Sequence, residues 1–184
     1  MCGRYSLDPD VAEIKRILAE IEQKTGNYKT GEIFPTNCAP VLLAQAEGVR
    51  VDAYRWGFPG FGGKGSIINA RSETAADKPL FRRALESRRL AIPTTGFYEW
   101  KQKSKYLFYT PGKEVLYLAG IYSVFDGEPR FTILTTTANE SVAPYHDRMP
   151  VLLCGNEITA WVHDTAYAHS AIHRIQPEVA VQPA

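Results

Sequence analysis

Cysteine is scarce in this chain: its 184 residues hold three, Cys2, Cys38 and Cys154. An odd number with no C-x-x-C spacing argues against a disulfide scaffold and against a zinc finger, and makes a reducing, cytoplasmic setting the expectation. Long apolar runs are also missing. The longest nearly apolar stretch, Val115 to Phe125, is too short to cross a bilayer, and the first twenty residues lack the apolar segment of a signal peptide. No membrane partner is therefore expected, and position 2 is not the Gly that N-myristoylation requires. Histidine is limited to His146, His163, His169 and His173, so imidazole chemistry has few candidates. No metal-ligand spacing stands out, and neither a metal nor another cofactor is expected.

What is present describes one soluble globular domain. Apolar residues make up 45% of the chain and charged residues 22%, with no internal repeat or linker, so a substantial core is available. A monomer is the default. The formal charge of +1 conceals an asymmetry. Residues 1–68 balance, residues 69–113 carry ten basic against four acidic side chains, and residues 114–184 carry three against eight. A middle of +6 is compatible with a polyanionic partner, although a solvated helix face gives the same count.

Helical spacing of Val11, Ile14, Leu18 and Ile21 predicts an amphipathic helix, capped by Asp8 with Pro9 in its first turn and stopped at Gly26. Two strands flank the Glu47-Gly48 turn, and a Gly-rich loop from Gly57 to Gly65 marks a surface or a lid. A helix is expected from a Ser72 cap through FRRALESRR, broken or restarted at Pro79. FYEWK, YLFYT, VLYLAGIYSV and RFTILTT then read as successive strands, followed by a helix from Asn156 through Trp161 and an extended tail from about residue 177. The fold class is α+β, a mainly antiparallel β core flanked by a few helices, with residues 1–184 as one domain.

The chemically informative residue is Cys2. A small residue at position 2 favours removal of the initiator Met, which would leave a free amino-terminal cysteine, a 1,2-aminothiol. Its amine is substantially unprotonated near neutrality, and adjacent positive charge such as Arg4 can lower its thiol. Toward an aldehyde the amine forms an imine and the thiolate closes on it, giving a five-membered thiazolidine. Toward an amide or ester only the thiol is called for. His146 stands in His146-Asp147-Arg148-Met149-Pro150, a loop suited to an anionic substrate or to a surface ion pair. Glu99, bracketed by aromatics in Gly96-Phe97-Tyr98-Glu99-Trp100, is either a desolvated proton shuttle or an outward residue of an ordinary strand. Asn69 and Arg71 alternate about Ala70 and face one way, offering an amide and a phosphate clamp. Trp56 and Trp100 are stacking candidates or core residues.

Taken in order, Cys2-Gly3-Arg4-Tyr5, Arg55-Trp56-Gly57, Asn69-Ala70-Arg71-Ser72-Glu73-Thr74, Gly96 to Trp100, Thr135-Thr136-Thr137-Ala138-Asn139 and His146 to Pro150 closely resemble the SRAP (SOS response-associated peptidase) family of abasic site processing proteins. The resemblance implies an SRAP fold that binds single-stranded DNA containing an abasic site. It implies autocatalytic Met1 removal and a thiazolidine DNA–protein crosslink through Cys2 that shields the lesion. Carried over, Cys2 is the nucleophile, Asn69 positions the terminus or sugar, Glu99 is the general acid/base and His146 assists proton transfer. Arg4, Arg71, Arg82 and Arg148 match phosphate-holding positions, and Thr135 offers a hydroxyl. The segment GFPGFGGKGSII is shorter than the family's and lacks its second Trp, and Pro93-Thr94-Thr95-Gly96 replaces its usual turn. Two other readings use the same residues: an amino-terminal-nucleophile cysteine hydrolase acting on amides, and a non-catalytic nucleic-acid-binding module.

Overall fold

The computed structural model describes residues 2–23 and 27–184. The chain opens with strand β1 (Arg4–Leu7) and helix α1 (Ala12–Glu22), followed by β2 (Gly31–Ile33), β3 (Cys38–Ala44) and β4 (Val49–Trp56). The Gly-rich segment forms a small hairpin of β5 (Phe58–Pro59) and β6 (Ser66–Ile67), and β7 (Asn69–Arg71) leads into α2 (Ser72–Ala75) and α3 (Pro79–Ser87). The β-rich half comprises β8 (Arg89–Thr94), β9 (Gly96–Lys101), β10 (Ser104–Tyr109), β11 (Leu116–Phe125), β12 (Glu128–Thr137), β13 (Arg148–Pro150) and β14 (Leu152–Leu153). Helices α4 (Ile158–His163) and α5 (Thr165–His173) and an edge strand β15 (Ala180–Pro183) complete it.

Two sheets carry the site. One runs β15-β10-β9-β1-β2, antiparallel throughout. In the other, β12 pairs with β4 on one side and β11 on the other, so β12-β4-β3-β8-β11 closes into a barrel. The pairings of β12 with β4 and with β7 are parallel. Barrel and flanking sheet share one core, in which Tyr5, Leu7, Trp56, Phe97, Ile121 and Phe131 are all wholly buried. Gly96 is required where β10 crosses β9, since a Cβ there would lie 2.7 Å from both Leu107 Cδ1 and the Phe108 carbonyl. The fold class is the expected α+β arrangement.

Three local expectations need correction. Asp8 does not cap α1: its Oδ1 accepts the Asp10 N–H at 2.9 Å, which spends the carboxylate in a turn, and the helix starts at Ala12. The stop expected at Gly26 lies outside the described residues. Ser72 is the first residue of α2 rather than its cap, and Pro79 restarts the chain as α3 with the ring in the first turn, where no N–H is needed. The Gly-rich loop is pinned rather than lid-like at its start, because Phe58 is wholly buried against Phe81 and Phe125. Helix α5, unpredicted, is capped by Asp164, whose Oδ1 accepts the Ala166 and Tyr167 N–H groups.

One cation of the basic segment is structural. Arg89 is 3% exposed, and its guanidinium donates to the Leu85 and Glu86 carbonyls at the end of α3 and the Trp161 and Val162 carbonyls of α4. Two helix C-termini, each the negative end of a helix dipole, thus neutralise a buried charge. Arg89→Leu leaves those carbonyls without partners, and we expect a loss of about 3 kcal/mol or more in urea unfolding. A midpoint unchanged from wild type would show that the carbonyls find other donors.

Candidate functional site

The antiparallel register of β1 with β9 sets Arg4 opposite Tyr98 and Tyr5 opposite Phe97, which carries the start of the chain toward Glu99. Along β9 the buried Phe97 and Glu99 alternate with the half-buried Tyr98 and Trp100. Glu99 is therefore the inward residue, not the outward one that the sequence left open. The parallel pairing of β7 with β12 brings Asn69 beside Ile133 and Arg71 beside Thr135. From there the Asn69 Nδ2 donates to the Cys2 carbonyl at 3.0 Å. His146, in the loop before β13, places Nε2 3.9 Å from Glu99 Oε2. Four residues drawn from distant parts of the sequence thus meet at one place.

Burial dominates the electrostatics. The Cys2 side chain is wholly inaccessible, and desolvation, reinforced by the Glu99 carboxylate, pushes its thiol far above the usual range. This corrects the expectation of a thiol lowered by Arg4, whose guanidinium is turned to Glu32 at 2.8 Å and packs 3.8 Å over the Phe34 ring. Glu99 is raised to about 7, first by burial and further by the Asp147 carboxylate. Desolvation also lowers His146, so the neutral ring is favoured. In that form Nδ1 accepts the Arg148 backbone N–H at 3.0 Å, which leaves the ring proton on Nε2, facing Glu99. The Asp147 carboxylate, 2.9 Å from the same Nδ1, becomes the partner when the ring is protonated.

The DNA-contact candidates fall into three groups. Arg71 is exposed and lines a cavity of about 550 Å³ together with Asn69 and Thr135, although Thr135 itself is 1% exposed. Arg148 is already engaged: its guanidinium forks onto Glu73 at 2.6 and 2.8 Å and reaches the Thr135 carbonyl at 2.7 Å. This arginine holds Glu73 down at about 2. Arg4 and Trp100 lie on the outer face of the flanking sheet, with the two side chains 5.6 Å apart, and Arg82 is exposed on α3. Trp56 is a correction. Its ring is wholly buried, stacked on Phe131 and packed against Tyr5, with Nε1–H donated to the Ile68 carbonyl at 3.0 Å, so no base can stack on it in this structure.

Sequence reasoning missed three participants. Lys78 lines the same cavity as Arg71; only the charge count had included it. Glu73, read as a helix-start residue, is the carboxylate that binds Arg148. Asp147 was grouped with its neighbours, with no hint that it would contend for one nitrogen of His146. No group of three or more His, Cys, Asp or Glu able to hold a metal occurs among the described residues.

Comparisons with known proteins give the family and the fold. The profile of a family described as SOS response associated peptidase (SRAP) matches residues 1–182. The abasic site processing protein YoqW of Bacillus subtilis is 33% identical over 186 residues, covering 89% of this chain and 80% of its own. YedK of Escherichia coli, which bears the same description, is 28% identical over 176 residues, covering 88% and 79%. Among solved structures, a Bacteroides thetaiotaomicron protein superposes with a TM-score of 0.81 at 21% identity, covering 99% of this chain and 91% of the other, which speaks to fold.

The raised carboxyl has a consequence for stability. Between its ordinary value of 4.5 and about 7, the folded state holds a proton that the unfolded state has released, so stability falls as pH rises through that window. His146 works in the opposite sense, and comparison with a Glu99→Gln variant isolates the carboxyl. We expect Glu99→Gln to gain on wild type by about 3 kcal/mol between pH 5 and pH 8 in denaturant unfolding. Parallel pH dependences in the two proteins would contradict the buried, protonated carboxyl.

Proposed function

Because the chain belongs to the SOS response associated peptidase family, we propose that it processes abasic sites in single-stranded DNA by forming a thiazolidine through Cys2 once Met1 has been removed. The observation that carries this reading is the grouping around Cys2 of an amide from Asn69 on its carbonyl and a buried carboxyl beside its thiol, with a neutral imidazole behind that carboxyl.

The chemistry follows from that environment. An abasic deoxyribose is mainly a closed hemiacetal, and protonation of its ring oxygen with deprotonation of the anomeric hydroxyl releases the aldehyde. Glu99, half-protonated near pH 7, serves as donor or acceptor in this step, with His146 Nε2 as its relay. The thiol is held protonated by burial, so the amine is the first nucleophile: it adds to the carbonyl carbon, and loss of water gives the imine. Transfer of the Cys2 thiol proton to Glu99 then frees the sulfur to bond to the imine carbon, and the nitrogen takes up a proton. Water is the only product besides the adduct, and no oxidant is needed. Asn69, by holding the Cys2 carbonyl, fixes the terminus for both attacks.

Arg71 and Lys78, which form no ion pair among the described residues and stand together at one cavity, are cations ready to meet phosphates, with the exposed Arg82 of α3 a further one. Arg148 joins them only if a phosphate takes the place of Glu73. Binding is then largely independent of base sequence and sensitive to salt.

Intact-mass spectrometry under denaturing conditions tests the reading, before and after incubation with an oligonucleotide bearing one abasic site. We expect loss of Met1, then a covalent adduct on Cys2, with none for Cys2→Ala and an approximately hundredfold slower adduct for Glu99→Gln. Retained Met1, or no adduct, sinks the proposal, and turnover of a peptide or acyl substrate would favour the hydrolase. Arg71→Ala is expected to weaken single-strand binding and to reduce its log–log salt slope by about 0.7. An unaltered slope removes Arg71 from the phosphate path.

A further inference from the structure

Two cavities of about 550 Å³ each open on this protein, and their linings differ in chemistry. One, beside the connection from α5 to β15, sets Glu73, Glu140 and Glu178 against His173 and an Arg174 already bound to Glu157, and disfavours a phosphate chain. The other has apolar walls from Ile67, Pro79, Leu80 and Phe81, cations from Arg71 and Lys78, and no carboxylate among its lining residues. Cys2, Glu99 and His146 do not line this second cavity. It is a neighbour of the reacting centre, joined to it by Asn69, which lines the cavity while its Nδ2 holds the Cys2 carbonyl. The Asn69 Oδ1 is buried with no hydrogen-bond partner, an acceptor left unused.

We infer that this cavity is a nucleotide subsite, which takes the base flanking the abasic site between its apolar walls and that nucleotide's phosphate on Arg71 and Lys78. The inference rests on the abasic-DNA reading and adds to it a base-binding chamber beside Cys2. Its volume falls within the range of about 300–1,000 Å³ usual for small-ligand sites, enough for a nucleoside. Apolar walls accept the face of any base, so the subsite secures the strand beside the lesion without reading its sequence. Because Asn69 touches both chambers, filling the subsite also steadies the residue that holds the Cys2 terminus.

Single-stranded oligonucleotides centred on tetrahydrofuran, an abasic analogue without an aldehyde, test this apart from the covalent chemistry. The neighbouring nucleotide on the 5′ or the 3′ side carries either a base or a second tetrahydrofuran, and binding is measured by fluorescence anisotropy. Removing the base on one side should weaken binding about tenfold, and on the other side much less. Leu80→Glu, which sets a carboxylate in the wall, should bind the fully based strand as weakly as wild type binds the base-less one. Leu80→Met should retain wild-type affinity, and circular dichroism checks that both variants fold. A 2-aminopurine at the sensitive position should change its emission on binding wild type and Leu80→Met, but not Leu80→Glu. Equal binding of all three strands, or a Leu80→Glu variant that binds like wild type, overturns the subsite. In a parallel incubation with aldehyde-bearing strands, a crosslink indifferent to flanking bases overturns the subsite alone. Flank-dependent binding with no crosslink supports the subsite and overturns the thiazolidine chemistry instead.

Discussion

The site depends on the pairing of β1 with β9. A chain terminus is ordinarily the least ordered part of a domain, yet here Tyr5, Ser6 and Leu7 pair with β2 on one side and Arg4, Tyr5 and Ser6 with β9 on the other. The wholly buried Tyr5 and Leu7 anchor the strand from beneath. The turn before β9 adds a clamp: the Thr94 hydroxyl lies 2.6 Å from the Ser6 carbonyl and 2.7 Å from that of Gly96. The Pro93-Thr94-Thr95-Gly96 segment therefore ties β9 to β1, and Glu99 keeps its inward place. Cys2, the second residue of the sequence, is thereby held as firmly as a residue inside a core strand.

That positioning carries an electrostatic cost which the chemistry turns to use. A thiol and a carboxyl buried together each disfavour the other's negative charge, and both are raised. A protonated thiol and a carboxyl divided between its two forms near neutrality make a pair in which one proton can move without creating a second charge. The neutral imidazole fits the same logic. Its Nδ1 is occupied by the Arg148 backbone, which orients Nε2–H toward the carboxyl. Arg148 is in turn held by Glu73, two residues beyond Arg71, so the ion pair links the strand that presents Asn69 to the loop that presents His146.

Much of this was legible in the sequence wherever local pattern and burial agree. Strand segments, the restart at Pro79 and the shared face of Asn69 and Arg71 follow from turn chemistry and period-two alternation. The inward orientation of Glu99 did not follow, because alternation names two faces without saying which is covered; that depends on β1 and the His146 loop lying across it. Trp56 illustrates the same limit from the other side. An aromatic beside an arginine and a glycine suits a stacking platform as well as a core, and only the barrel's closure through β12 seals it against Phe131. Helix α5 was missed because its apolar positions, Ala168, Ala171 and Ile172, make a weak stripe, and its cap is a lone Asp164.

Charge counting and motif matching both treat cations as equivalent, and the structure separates them. Of the cations expected to meet a polyanion, Arg89 is consumed by helix ends, Arg4 shares Glu32 with Lys105, and Arg148 is bound by Glu73. A count treats these as equivalent to Arg71 and Lys78, which carry no ion pair among the described residues and stand together at one cavity. A polyanion gains most where no carboxylate must be displaced, so the pairing state of a cation matters more than the density of basic sequence around it. Those cations share their cavity with Asn69, so the one place where cations stand clear of carboxylates adjoins the residue that holds the Cys2 carbonyl.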